Sequence, residues 1–225
     1  MLRSICAFVL LAAPLVLLAA AHQIPAELPR EYGFSAELAA KFDAWVKETL
    51  DWTNEKGKYA VIVDKSKYSL YLAINGKVVA AMPIELGFEP VADKRMEGDG
   101  ATPEGKYKVA EKRDVGQTRF HRGLLLDYPN ETDRSEFREW KAAGEIPADA
   151  AIGGLILIHG SGSGKRPAEG GSNWTLGCVA LSNSDIDRLF RHAYKGMPVT
   201  IVRFTNADLS PKYSRKNKAP NTSSA

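Results

Sequence analysis

The chain has 225 residues, 44% of them apolar and 25% charged. That composition excludes a disordered chain, a collagen-like repeat and a disulfide scaffold, and the length suits one domain with a sizeable core. A net charge of +3, from 30 Lys and Arg against 27 Asp and Glu, is too weak to indicate nucleic acid.

In chain order, Arg3 precedes an apolar run over residues 5–21 that closes on Ala19-Ala20-Ala21. A basic start, an apolar stretch and small residues at its end read as a secretory signal peptide over residues 1–21, with a mature start near His22. A retained membrane anchor is the competing reading, since the run is almost long enough to span. No cysteine stands at the cleavage point, which excludes a lipoprotein.

Residues 22–56 read as an N-terminal helical extension. Ser35 precedes a helix expected over 36–50, with Leu38, Phe42, Trp45 and Thr49 on one face. The period then drops to two. Strands are expected over 59–64 and 68–74, and Asn75-Gly76 supplies a type I′ turn into a strand over 77–86. A turn-dense stretch over 98–105 leads into a strand over 106–112. Short apolar strands over 123–127 and 154–159 flank a helix that Asp133 caps, with Glu136 in its first turn and Ala143 near its end. A helix over 183–194 turns Ile186, Leu189 and Phe190 inward, and a strand over 197–204 follows. The body over 57–205 is therefore expected to be mainly β with peripheral helices, as a sandwich of short strands.

Residues 206–225 are rich in Ser, Asn, Pro and Lys and read as a disordered basic tail. Without Arg3 and this tail, 25 bases face 26 acids, so the body is near neutral.

Of the two cysteines, Cys6 leaves with the signal segment and Cys178 remains. A lone thiol in a compartment that permits disulfides is a buried inert residue, an intermolecular partner or a nucleophile. Cys178 lies in Thr175-Leu176-Gly177-Cys178-Val179-Ala180-Leu181, where Gly177 permits close backbone approach and successive N–H groups can form an oxyanion hole. His159 stands nineteen residues earlier, at the end of an apolar strand and before Gly160. Cysteine with histidine is the minimum pair for thiolate chemistry. On spacing alone, a buried structural cysteine and an unrelated histidine are the better reading.

Four ordered segments sharpen this. They are Gly98-Asp99-Gly100-Ala101-Thr102-Pro103-Glu104-Gly105-Lys106-Tyr107, Asp127-Tyr128-Pro129-Asn130, Ile158-His159-Gly160 and Thr175-Leu176-Gly177-Cys178-Val179. Asp185-Ile186 and Gly196-Met197-Pro198-Val199 follow in register. Together they resemble the YkuD-type L,D-transpeptidase family of bacterial cell-wall enzymes, from about residue 59 to residue 204.

The resemblance implies a β-rich catalytic domain working through a cysteine acyl-enzyme. It makes Cys178 the nucleophile and His159 the base. The backbone of Gly160 or Ser161 would orient the imidazole, and the N–H groups around Gly177 would form the oxyanion hole. Trp174, Thr175, Leu176, Tyr128, Arg119 and His121 are the expected substrate-binding residues. The implied substrate is a peptidoglycan stem peptide, cut between the L-centre of diaminopimelate and D-alanine. The acyl group then passes to an amine or to water. No metal or organic cofactor is implied, in line with the lack of Cys/His ligand spacing.

Ala180 stands where the commonest family version has Arg, which leaves the acyl acceptor open. Lys165, Arg166, Arg119 or Arg122 are the cations available to take that role. The functions expected are an L,D-transpeptidase, then an L,D-carboxypeptidase or amidase of the same fold, then a catalytically silent peptidoglycan-binding module. The periplasm of a Gram-negative-type bacterium, a monomer, no nucleic acid and an envelope protein attached to peptidoglycan as a partner complete the expectation.

Gly160-Ser161-Gly162-Ser163-Gly164-Lys165-Arg166 imitates a phosphate loop but fails it twice. His159 occupies the first Gly position, and Arg166 replaces the Ser or Thr after the Lys. Residues 160–174 read instead as a flap between base and nucleophile. His192 reads as a structural residue at a helix end.

Overall fold

A computed structural model describes residues 35–161 and 173–212. The expected signal peptide, residues 22–34, residues 213–225 and most of the expected flap, with Lys165 and Arg166, lie outside the described residues.

Helix α1 spans Ala36–Lys56. Ser35 Oγ accepts the Leu38 N–H at 3.0 Å, and Gly57 ends the helix at φ 60°. It runs past the expected residue 50 because the buried stripe of Ala39, Phe42, Val46 and Thr49 continues to Thr53.

Eight strands follow: β1 Ala60–Asp64, β2 Ser69–Ile74, β3 Lys77–Pro83, β4 Gly105–Arg113, β5 Gly123–Leu126, β6 Leu157–Gly160, β7 Val179–Leu181 and β8 Pro198–Val202. Their order in the sheet is β3-β2-β1-β8-β4-β5-β6-β7. The β2–β3 hairpin turns on Asn75 at φ 52° and Gly76 at φ 71°, as a type I′ turn requires. Strand β4 serves both halves. Its first residues pair with β8, its last with β5, and the register shifts between Val109 and Glu111. Beyond β3 the chain runs on to meet β7, through bridges between Glu85 and Ala180 and between Gly87 and Thr175. The two ends of the strand order thus touch, and the mainly β body is barrel-like.

The interior holds one large cluster, including Val61, Leu72, Leu86, Tyr107, Leu124, Ile158, Val179 and Ile201. A second cluster lies under α1, where Phe42 and Val46 meet Ile62, Tyr71, Val202 and Phe204.

Other expectations change as well. The second helix, α2 Glu131–Ala142, is capped by Asn130, and Asp133 is the third residue of a capping box. Thr132 N–H donates to Asn130 Oδ1 at 2.8 Å, and Asn130 N–H donates to Asp133 Oδ2 at 2.7 Å. The strand expected over 154–159 starts only at Leu157, because Gly153 at φ 77° and Leu155 at φ 58° are outside β space. The first part of the expected disordered tail, residues 206–212, is bound to the fold. Leu209 is buried beside α1, Asp43 Oδ1 accepts the Asn206 N–H at 2.9 Å, and Lys212 N–H donates to Val78 O at 3.0 Å.

Helix α3, Asn183–Phe190, is shorter than expected and packs Ile186 and Leu189 against β6 and β7. Those two short strands carry the candidate site.

Candidate active site

Strands β6 and β7 are parallel, with Ile158 opposite Val179 and His159 opposite Ala180. One step back, Leu157 stands opposite Cys178, and Leu157 N–H reaches Cys178 Sγ at 3.4 Å. Side chains alternate along a strand, and directly paired residues share a face. By that alternation Cys178, the residue before β7, lies diagonally across the strand pair from His159.

The imidazole of His159 is fully buried and held from several sides. Its Nδ1 lies 2.7 Å from Gly160 O, which can only accept, so Nδ1 carries the proton and Nε2 the lone pair. Phe120 stacks on the ring at 3.5 Å between centroids and 13° between planes. Trp174 meets it edge-on at 5.8 Å. Nε2 is buried with no hydrogen-bond partner among the described residues. Of the two backbone groups expected to orient the imidazole, the Gly160 carbonyl does so.

The turn that carries Cys178 is braced by its own residues. Thr175 Oγ1 donates to Cys178 O at 2.7 Å and accepts the Gly177 N–H at 3.1 Å. The Gly177 N–H is thereby committed, so the oxyanion donor expected around Gly177 has to come from a neighbour. A Cβ on Gly177 would stand 2.6 Å from Ala101 O. The Gly98–Gly105 segment thus seats the turn. Ala101 lies against Gly177, Thr102 Oγ1 accepts the Gly87 N–H at 3.1 Å, and Glu104 pairs with buried Lys65 at 2.8 Å and with Arg203 at 2.9 Å.

The other expected binding residues separate into groups. Trp174 and Leu176 are exposed beside the thiol. Thr175 is buried and braces the turn. Tyr128 is placed differently from the exposed pair. It is buried in the core, packs edge-on against Tyr107, and its hydroxyl donates to Ile152 O at 3.3 Å. His121 is tied to α3 through Asp187 Oδ1 at 2.8 Å, and Arg122 is held by Asp114 and the same Asp187. Arg119 is exposed, its guanidinium 5.0 Å from the Phe120 ring centroid.

Three neighbours carried no local sequence signal: Phe120, Glu85 and Leu155. Glu85 is buried and accepts the indole N–H of Trp174. The carbonyl of Leu155 lies 3.7 Å from Cys178 Sγ. Four of the five exposed large apolar residues among those described, Phe88, Leu155, Trp174 and Leu176, belong to segments that flank the thiol.

Electrostatics set the resting charge state. Burial, with a smaller push from Arg119, drives His159 down to about 4 against the opposing Gly160 hydrogen bond. Burial also raises the Cys178 thiol, only partly offset by the Leu157 N–H, Arg119 and Lys94. Both groups are neutral at pH 7: a thiol beside an unprotonated imidazole, not a standing ion pair.

This has a stability consequence. The unfolded chain protonates His159 near 6.5, the native chain only near 4. Between those values the unfolded state binds the extra proton, so stability is full above the window and falls as pH drops through it. We expect a loss of ~3 kcal/mol across that window. Urea titrations of wild type and His159→Gln should show it as a pH-dependent loss in wild type in excess of that in the variant, which keeps the other shifted groups such as His192. Parallel curves would contradict the buried neutral imidazole.

Comparison with known proteins fits this geometry. Residues 58–201 match the family model described as the YkuD L,D-transpeptidase catalytic domain. The chain belongs to the YkuD family. Within it, the chain is 26% identical to the putative L,D-transpeptidase YafK of Escherichia coli over 98 residues, 44% of this chain and 30% of that one. The helical cell shape determining protein Pgp2 of Campylobacter jejuni is similar in structure at 24% identity and TM-score 0.47, covering 68% of this chain and 54% of Pgp2. An L,D-transpeptidase of Xylanimonas cellulosilytica is similar at 19% identity and TM-score 0.41, covering 64% and 60%. The match thus spans less than a third of YafK and about half of Pgp2. In this YkuD domain the position after Val179 is Ala180, fully buried in β7.

Proposed function

We propose that this chain is an exported cysteine L,D-transpeptidase acting on peptidoglycan stem peptides through a Cys178 acyl-enzyme. The observation that carries the reading is the shared face of Cys178 and His159, with Nδ1 fixed on Gly160 O and Nε2 left for the thiol.

In the first half-reaction Nε2 takes the Sγ proton as sulfur attacks the carbonyl on the L-centre of diaminopimelate. A C–S bond forms and the carbonyl oxygen becomes an oxyanion. With the Gly177 N–H spent on Thr175, the N–H groups of Leu176 and Cys178 are the candidate donors to it. The C–N bond to D-alanine then breaks, and Nε2 returns its proton to the departing amine. In the second half-reaction an acceptor amine or water loses a proton to Nε2 and attacks the thioester. The C–S bond breaks and the thiol is restored.

Arg119 is exposed and lowers the titration of both catalytic groups, so it is the cation best placed for a substrate carboxylate. Trp174 and Leu176 form the wall along which the peptide lies. Export rests on the 5–21 apolar run, and the periplasm is the compartment that holds the substrate.

Ala180 contributes only a buried methyl, which makes hydrolysis the second reading. Mass spectrometry of diaminopimelate muropeptides incubated with the protein separates the two. Dimers linked between two diaminopimelate residues indicate transfer, and shortened monomers indicate carboxypeptidase action. Unchanged muropeptides would reject both and leave a binding module.

A further inference from the structure

Glu85 has no part in the chemistry above, yet the fold places its carboxylate inside the site. Residues 84–88 continue past β3 and reach the nucleophile segment. Glu85 N–H donates to Ala180 O at 2.9 Å, and Ala180 N–H donates to Glu85 O at 2.8 Å. A pair that exchanges both hydrogen bonds puts its two side chains on one face. Ala180 shares that face with Cys178, two residues earlier in the same segment. The Glu85 side chain thus lies on the nucleophile's side of the sheet. It is 3% exposed.

There it accepts a hydrogen bond from the indole Nε1–H of Trp174. Trp174 has nothing else polar to offer, and its ring is what meets the edge of His159 at 5.8 Å. Phe120 lies on the imidazole and approaches Trp174 at 6.5 Å. Asn173 and Thr175 tie the same strip down on either side. Leu86 N–H donates to Asn173 Oδ1 at 3.1 Å, and Phe88 N–H donates to Thr175 O at 3.1 Å. Those contacts hold the strip, and among the described residues Glu85 supplies the hydrogen bond that orients the indole.

We infer that Glu85 is a positioning residue, whose carboxylate fixes Trp174 as the wall that aims His159 at Cys178. This rests on the proposed thiol–imidazole pair. A desolvated carboxylate is expensive to bury, and its hydrogen bond to a donor is strong. A wall held by it resists the indole flipping out into solvent, where 41% of Trp174 is already exposed. Loss of the carboxylate lets the indole rotate and the imidazole tilt, and Nε2 then meets Sγ less often.

The test is the rate of Cys178 alkylation by iodoacetamide across pH 5 to 9, measured on the full chain. This small neutral probe needs no peptide site, so it reads the pair directly. Glu85→Leu should slow alkylation near pH 7 by about 10-fold, as misalignment of a base does, and push the rise in rate to higher pH. Glu85→Gln keeps an acceptor at the same place and should restore most of the rate and the profile. Trp174→Phe keeps a ring but lacks the N–H, and it should behave like Glu85→Leu, with the double variant no slower than either alone. Thermal melts show which variants are folded. If Glu85→Leu does not fold, Trp174→Phe decides. Wild-type alkylation in a folded Glu85→Leu or Trp174→Phe protein overturns the proposal. So does a Glu85→Gln protein as slow as Glu85→Leu. His159→Ala with an unchanged rate would instead overturn the pair itself, which separates the two failures.

Discussion

Cys178→Ala is expected to fold normally and to lose muropeptide conversion to below about a thousandth of wild type, the scale seen when a nucleophile is removed. The structural side of this follows from how little the sulfur does for the fold. Sγ accepts one long contact from Leu157 N–H at 3.4 Å and reaches Leu155 O at 3.7 Å, and its neighbours in the turn are held by Thr175. Replacing S–H by hydrogen removes one partly buried atom, a change of about 1 kcal/mol or less. The chemical side follows from the mechanism, in which no other group supplies an electron pair to the acyl carbon. Melting curves should coincide within a few degrees while product formation disappears. A Cys178→Ala protein that still converts muropeptides would remove the thiol from the mechanism.

The second large effect is expected at Gly177. Its φ is 127°, and an added Cβ would sit 2.6 Å from Ala101 O and 3.2 Å from Ile156 Cδ1. Gly177→Ala therefore carries backbone strain of ~1–2 kcal/mol and a clash with main chain that cannot simply rotate aside. The turn must shift, and Cys178 shifts with it. A displacement near 1 Å costs on the order of 100-fold in rate. Gly116→Ala is the control, since Gly116 also has positive φ, at 84°, but nothing within 4 Å of the added carbon. Gly116→Ala should lose stability alone. Urea melts and turnover measured on both variants check this, and equal losses of activity would deny Gly177 its special contact.

Much of this arrangement is legible in the chain itself. The helical period through Leu38, Phe42, Trp45 and Thr49 gives α1, and Asn75-Gly76 between alternating runs gives the hairpin. Local chemistry sufficed in both cases. Where a boundary depends on a strained residue, local reading fails. Leu155 looks like any strand leucine, and only the fold reveals its φ of 58°. Residues 206–212 join the fold because one leucine decides it. Leu209 finds a slot beside α1 that composition cannot anticipate. Cys178 and His159 are visible as motifs, yet their supports are not. Phe120 lies 39 positions before His159, and Glu85 lies 89 positions before Trp174. Such contacts arise from the β5–β6 pairing and from the closure of the sheet onto β7, which no local pattern encodes. Tyr128 shows the converse. The resemblance makes this motif residue a substrate contact, and the fold buries it in the core beside Tyr107.

The central claim is that a Cys178 thioester lies on the reaction path. Mass spectrometry of the intact protein, quenched in acid early after mixing with a diaminopimelate muropeptide bearing terminal D-alanine, tests it most directly. The account predicts a mass gain equal to the muropeptide minus one D-alanine, located on the peptide that contains Cys178 and absent from Cys178→Ala. Conversion of the muropeptide with no adduct, and at an equal rate in the Cys178→Ala protein, would contradict it.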